Sequence, residues 1–346
     1  MKFQQVPLLV LVIALLSACA GQSATQTTTV PTAPTAIAPS NTPDSLVEAN
    51  TADTEPSPVE ASSEANNEPR VIKHAMGETV VPAHPKRVVT LDMGELDAAL
   101  ALGIKPVGSV TIFDDGTFPA YLGDATEGIE PVGTIASPNL EKIAALKPDL
   151  ILSSKTRDEE RYELLSQIAP TVFAERLGDA WLDNFLLFAD AMGEKEQGEA
   201  KVAAYKQRLA DLNSKLKEQG DIPVVSMVRF MKGGQVRMYN NGSFIGTILT
   251  GAQLGRPEAQ TVEDKVWSEV NKEILSSVDG DVIFYGIYGA DDESSLADYE
   301  QDPLWQQLSA IKNNKIFRVD DDYWFTSIGL IAANLVIDDL EKHLLP

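Results

Sequence analysis

Asn139-Leu140-Glu141-Lys142-Ile143-Ala144-Ala145-Leu146-Lys147-Pro148-Asp149-Leu150-Ile151-Leu152 reads as one helix, one sharp stop and one buried strand. Asn139 is placed to cap the helix, and Glu141 sits in the first turn, where the helix dipole favours an acid. Pro148 cannot continue the helix, so Lys147-Pro148-Asp149 ends it. The layout recurs at Asn271-Lys272-Glu273-Ile274-Leu275, which leads through Asp279-Gly280-Asp281 into Val282-Ile283-Phe284; the two glutamates are 132 residues apart. A helix–stop–strand unit that occurs twice predicts two similar lobes.

The segments around each copy extend the pattern. Arg87-Val88-Val89-Thr90-Leu91 reads as a strand, Gly94 to Leu102 as a helix ending at Gly103, and Pro106-Val107-Gly108-Ser109-Val110 as the next strand. Strands separated by helices imply βαβ units and a parallel sheet. Between the copies lie two long helical patterns, about Ala180 to Met192 and Lys195 to Gln219. In the second, Val202, Tyr205, Leu209, Leu212 and Leu216 fall at spacings of three and four, one apolar stripe along a helix. Alternation resumes with Pro223 to Phe230. The expected architecture is α/β: an N-terminal lobe over 70–193, a connecting helix over 194–219 and a C-terminal lobe over 220–346, each lobe built on a central parallel sheet.

The first 69 residues do not fit a folded domain. Lys2 precedes an apolar run, Val6 to Leu16, broken only by Pro7 and too short to span a bilayer, followed by Leu16-Ser17-Ala18-Cys19. That tetrad resembles the bacterial lipobox, in which the cysteine is acylated, so 1–18 are expected to be a signal peptide and Cys19 a lipid anchor. It is the only cysteine, which excludes disulfides and cysteine-ligated metals. The stretch 19–69 is rich in Thr, Pro, Ala and Ser, without aromatics, Lys or Arg, and cannot bury enough apolar surface to offset its ordering entropy. It is expected to be a disordered tether, reaching about 40 Å by random-coil scaling.

Residues 1–69 carry one Lys and seven acids, which leaves the remainder at −17 of the total charge of −23. A nucleic-acid binder would carry the opposite sign. No catalytic constellation is present: there is no G-x-S-x-G elbow or P-loop, and the three histidines, His74, His84 and His343, do not pair at helical spacing. The reading is therefore a binding protein rather than an enzyme, with no cofactor and no bound metal of its own. Phenolates from Tyr239, Tyr285, Tyr288 and Tyr323 holding free iron, or the same rings walling a cleft, both remain open.

A family resemblance covers most of the chain. Pro85-Lys86-Arg87-Val88-Val89, Leu100 to Gly108, Pro138 to Ile143, Lys147 to Ile151, Asp302-Pro303-Leu304-Trp305, Lys315-Ile316-Phe317-Arg318-Val319 and Trp324 resemble, in order, the ferric-siderophore and vitamin B12 binding proteins of ABC importers. The resemblance implies two Rossmann-like lobes joined by one rigid helix, the class III substrate-binding fold. It further implies a monomer on the outer, periplasmic face of the cytoplasmic membrane. Such a protein captures a ferric siderophore between its lobes and hands it to an ABC permease with its ATPase. A corrinoid or haem is the alternative ligand, and a signalling or adhesion lipoprotein the alternative role.

A ferric chelate is oxygen-rich and often anionic, which suits Arg forks and rigid aromatic walls. Arg229 ends the apolar strand Val224 to Val228, where open α/β sheets place ligands. Arg237 and Tyr239 lie on the returning segment, and Lys155 and Arg157 just past the strand Leu150 to Ser153; Arg229 and Arg237 have a plain reading as solvated strand-end arginines, and Lys155 and Arg157 as a basic start to the following helix. Arg176 is a further strand-end candidate. By resemblance, Trp267 and Trp324 fall where hydroxamate-binding relatives set tryptophans against the ligand, and Ile135 stands where those relatives often carry arginine. Tyr285 and Tyr288 follow a strand, and Met93 and Phe113 suit the cleft and the core equally. The several arginines favour a carboxylate or mixed citrate–hydroxamate chelate. Glu141 and Glu273 fall where relatives present one acid per lobe to the permease, and the same acids complement a helix dipole.

Overall fold

The computed structural model describes residues 68–289 and 294–346, so Cys19, the expected signal peptide and almost all of the expected tether lie outside the described residues. The described chain opens on a hairpin not anticipated from sequence, β1 (Arg70–His74) and β2 (Gly77–Val81), with Val71 opposite Val80.

Next come β3 (Val88–Thr90), β4 (Gly108–Thr111), β5 (Glu130–Thr134), β6 (Leu150–Ser154) and β7 (Thr171–Ala174). They form one sheet in the order β5-β4-β3-β6-β7, parallel throughout. β3, β4, β6 and β7 are buried along their length, as strands covered by helices on both faces must be. Asn139 Oδ1 accepts from Lys142 N (3.0 Å) and caps the helix Leu140–Ala145 as its sequence predicts. Lys147 takes a left-handed conformation (φ 48°) just before Pro148.

The connecting helix is Lys195–Gln219, about 38 Å long. All five residues of its apolar stripe are buried. Beyond it, β8 (Val225–Phe230), β9 (Val236–Tyr239), β10 (Trp267–Val270), β11 (Val282–Ile287) and β12 (Ile316–Arg318) form a second sheet in the order β10-β9-β8-β11-β12. Here the structure departs from the expected parallel sheet: β8, β11 and β12 are parallel, but β9 runs antiparallel to both β8 and β10. The turn Met231–Gln235 is too short for a parallel crossover, so the chain can only return as a hairpin. The second helix–stop–strand copy also differs, since Lys272–Val278 is a kinked 3₁₀ element, although Asn271 still caps it.

Each lobe has an apolar cluster of its own, around Leu96, Ile143 and Phe173 in the first and around Phe230, Ile283 and Trp305 in the second, and a further one crosses between them. The crossing cluster runs from Val88 and Leu152 through the connecting helix to Met227, Phe284 and the C-terminal helix Leu330–Leu344. Trp181 joins the parts: its ring meets Tyr205 and Phe244 edge-on at 5.2 Å each, and its Nε1 donates to Thr247 Oγ1 (2.9 Å). Strand order reverses between β3 and β6 in one sheet and between β8 and β11 in the other. Those are the points where an open α/β sheet leaves a crevice at its carboxyl ends.

Candidate functional site

A cavity of about 650 Å³ opens between the carboxyl ends of the two sheets. Phe113, Asp115 and Thr117, following β4, line one side; Ile287, Tyr288 and Gly289 after β11, Arg318 to Asp322 after β12, and Thr326 line the other. Phe113 and Tyr288 both line it and touch each other, with ring centroids 6.1 Å apart and the planes tilted by 43°. Among the described lining residues Arg318 is the one cation, against Asp115, Asp320, Asp321 and Asp322. Burial, and then the neighbouring Asp320 and Asp321, raise the Asp322 carboxyl above the usual range. Residues 322–326 form a π-helical turn, a local irregularity common at functional sites. Among the described residues no group of three or more His, Cys, Asp or Glu is arranged to hold a metal ion.

The expected ligand residues divide into three groups. Arg229 is buried behind the cavity wall rather than presented to it. Its Nε donates to Asp321 Oδ1 (2.7 Å), Nη2 to Asp321 Oδ2 and to Thr326 Oγ1 (2.7 Å), and Nη1 to the Tyr239 hydroxyl (3.2 Å). Its guanidinium lies 4.8 Å from the Tyr288 ring centroid and 5.4 Å from that of Phe325. A buried guanidinium requires a counter-charge, and Asp321 supplies it. Arg229 therefore braces Asp321, Thr326 and Tyr288, which themselves face the cavity. Tyr239, also buried, packs on Phe325 at 4.8 Å and completes this brace.

Trp324, expected against the ligand, is fully buried. It stacks on Phe284 at 4.9 Å and donates from Nε1 to Asp339 Oδ2 (2.8 Å). A buried indole needs an acceptor, and the C-terminal helix provides one. Tyr285 packs edge-on against Phe230 (5.9 Å) and is not among the described residues that line the cavity. Met93 is in the first-lobe core, and Arg176 pairs with Asp179 (2.8 Å) at the surface.

The remaining candidates lie near strand ends but outside the cavity lining. Arg237 stacks on Trp267 at 4.0 Å, with its Nε donating to Gln235 (2.9 Å). Lys155 pairs with Glu175 (3.1 Å). Arg157, half exposed, donates from Nε to Asp92 Oδ2 (2.7 Å). Beside that pair, burial and then the Asp92 charge push the Glu95 carboxyl well above its usual range. Glu141 and Glu273 are both exposed, in the first turns capped by Asn139 and Asn271.

Sequence reasoning left Arg318 and the Asp320-Asp321-Asp322 run out of the site, although both directly follow β12 and the strand-end rule covers them. Phe113, for which sequence supported cleft and core equally, and Tyr288, expected after its strand, both line the cavity.

Two lobes joined by a long helix, with a cavity at the carboxyl ends of both sheets, define a substrate-binding protein. The chain belongs to the periplasmic binding protein family, whose model matches residues 88–323. It is 40% identical over 295 residues to the probable siderophore-binding lipoprotein YfiY of Bacillus subtilis, covering 82% of this chain and 90% of that protein. Identity to the Fe(3+)-citrate-binding protein YfmC of the same organism is 32%, over 79% of this chain and 85% of the relative. The crystal structure of Staphylococcus aureus SirA complexed with staphyloferrin B superposes with a TM-score of 0.73 at 31% identity, covering 80% of this chain and 98% of that one.

Proposed function

We propose that this protein captures a ferric siderophore in the inter-lobe cavity and delivers it to an ABC permease for iron uptake, without catalysis. The observation that carries the reading is the Phe113–Tyr288 cavity at the carboxyl ends of two Rossmann-like sheets, in a chain whose relatives are named for siderophore and ferric-citrate binding. A chelate of the carboxylate or mixed citrate–hydroxamate class is favoured by the ligands for which the relatives are named: its rim packs against the two rings, and Arg318 pairs with one of its oxygens. The cargo iron arrives inside its own ligand shell, so the wall supplies orientation rather than coordination. Glu141 and Glu273 dock the protein on the permease, one from each lobe. Lipid on Cys19 holds it, as a monomer, at the outer face of the cytoplasmic membrane.

The test is a fluorescence titration with ferric citrate, a citrate–hydroxamate chelate, a triscatecholate, cobalamin and haem. Quenching by the first two supports the reading; a response to cobalamin or haem alone overturns it. For the anchor, Cys19→Ser should move the protein from the membrane pellet to the soluble fraction, and unchanged partition would remove lipid from the account.

A further inference from the structure

The C-terminal helix Leu330–Leu344 begins without a cap of its own. Its N-cap residue is Gly329, which has no side chain to accept from the first turn. The cap comes from the other lobe. Asp97, on the first-lobe helix Met93–Ala101, accepts from Ile331 N at Oδ1 (2.8 Å) and from Ala332 N at Oδ2 (3.0 Å). The Tyr121 hydroxyl donates to the same Oδ2 (3.2 Å). The fit is close: a Cβ on Gly329 would overlap the Asp97 carboxyl, and one on Gly94 would stand 2.7 Å from Ile328 O.

This cap is joined directly to the cavity wall. Thr326, held by Arg229 and Asp321, ends the turn that carries Asp321 and Asp322, and only four residues separate it from Ile331. Ser327 N returns to Asp322 O at 2.7 Å. One end of the segment is thus fastened by Arg229 and the other by Asp97, on opposite lobes. We propose that Asp97 is a positioning residue for ligand capture: by capping the C-terminal helix from the first lobe it holds the cavity-lining turn 320–326 in register with Phe113, and this seating is linked to a proton on Asp97. The capture part rests on the function proposed above; the seating does not.

The direction of the linkage follows from the surroundings. Asp97 is fully buried. The C-terminal helix offers it only backbone N–H groups, the turn after β4 offers Tyr121, and the 322–326 turn brings Asp322 and Tyr323 up to Tyr121. On its own helix Glu95 is a second buried acid. Lys201 and Arg208 line the groove on the far side of Ile331 and Asn334. Lacking a paired cation, the ionised form is penalised by burial, which raises the carboxyl from 3.8 to about 6. Unseating would rehydrate it and restore the ordinary value. Protonation therefore favours the seated state, and seating weakens as pH rises through 6.

Amide exchange at Ile331 and Ala332, corrected for intrinsic rates, reads the seating without any ligand. With values of about 6 seated and 3.8 unseated, wild-type protection should fall about tenfold between pH 5 and 7.5. Asp97→Asn keeps one acceptor for Ile331 N, loses the acceptor facing Ala332 N and cannot titrate, so its protection should be lower than that of wild type at pH 5 but level across that range. Asp97→Ala should be poorly protected at both pH values. If Asp97→Ala does not fold, the wild-type and Asn profiles still decide: parallel profiles overturn the proposal, as would an Ala variant protected like wild type. Ferric citrate titrated into the same proteins reads capture, which should weaken in Asp97→Ala and less so in Asp97→Asn, which keeps half of the cap; equal affinity in all folded variants overturns the positioning role. Failure of wild type to bind ferric citrate would count against the function reading, while exchange still reports on the seat.

Discussion

Replacing Asp321 by alanine should destabilise the protein far more than losing one cavity-lining residue would suggest. The side chains of Arg229 and Asp321 are 7% and 15% exposed, so their interaction is not the weak, screened pairing of a surface salt bridge. Asp321 accepts from two nitrogens of Arg229 and from the Thr326 hydroxyl (3.1 Å). Removing it leaves a buried guanidinium whose remaining hydrogen-bond partners among the described residues are Tyr239 and Thr326, and breaking such a pair on one side costs about 3–5 kcal/mol. A folded portion of about 280 residues unfolds with an entropy of about 0.6 kcal/mol/K, so the melting temperature should fall by about 7 K. Removing both charges, Arg229→Met with Asp321→Leu, should recover most of that loss because no unpaired charge remains. Calorimetric melting of wild type, Asp321→Ala and the double variant is the assay. A drop below about 1 K for Asp321→Ala, or a double variant that melts lower than the single, would refute the picture of Arg229 as a braced, internally compensated cation.

Phe113→Ala and Tyr288→Ala should each weaken ferric-chelate binding up to about tenfold, the worth of one aromatic contact, with little change in melting temperature; titration calorimetry reads this. Trp324→Phe keeps the stack on Phe284 but deprives Asp339 of a donor, so it should lose about 1–3 kcal/mol of stability with ligand affinity unchanged. A tenfold affinity loss at unchanged melting temperature would return Trp324 to the ligand site. Replacing Glu141 and Glu273 together by alanine should leave chelate affinity intact and abolish uptake in whole cells; normal uptake would count against docking through them.

The periodic elements were the legible part of the fold. The stripe Val202 to Leu216 and the Asn139 cap depend on neighbours within a few residues, and both appear as read. β9 and β10 were harder, because strand direction in a mixed sheet depends on the length of the turn after Phe230 rather than on hydrophobic pattern. The site was legible in location and less so in its residues. Strand-end position identifies Arg229 as a site residue, but not that a partner 92 positions later neutralises it. The run of aspartates just before Trp324 faces the cavity, while the π turn sends the indole inward onto Phe284. Asp97 gave no local signal, since its partners are backbone N–H groups more than 230 residues away.

The central claim is that a ferric chelate sits in the cavity lined by Phe113 and Tyr288. Crystals of the complex with ferric citrate, measured at the iron absorption edge, locate the metal without interpretation of the organic part. The account predicts one anomalous peak inside the cavity, beside the two rings and on the side of Arg318. A peak outside that cavity, or an iron bonded directly to protein tyrosines, would contradict it.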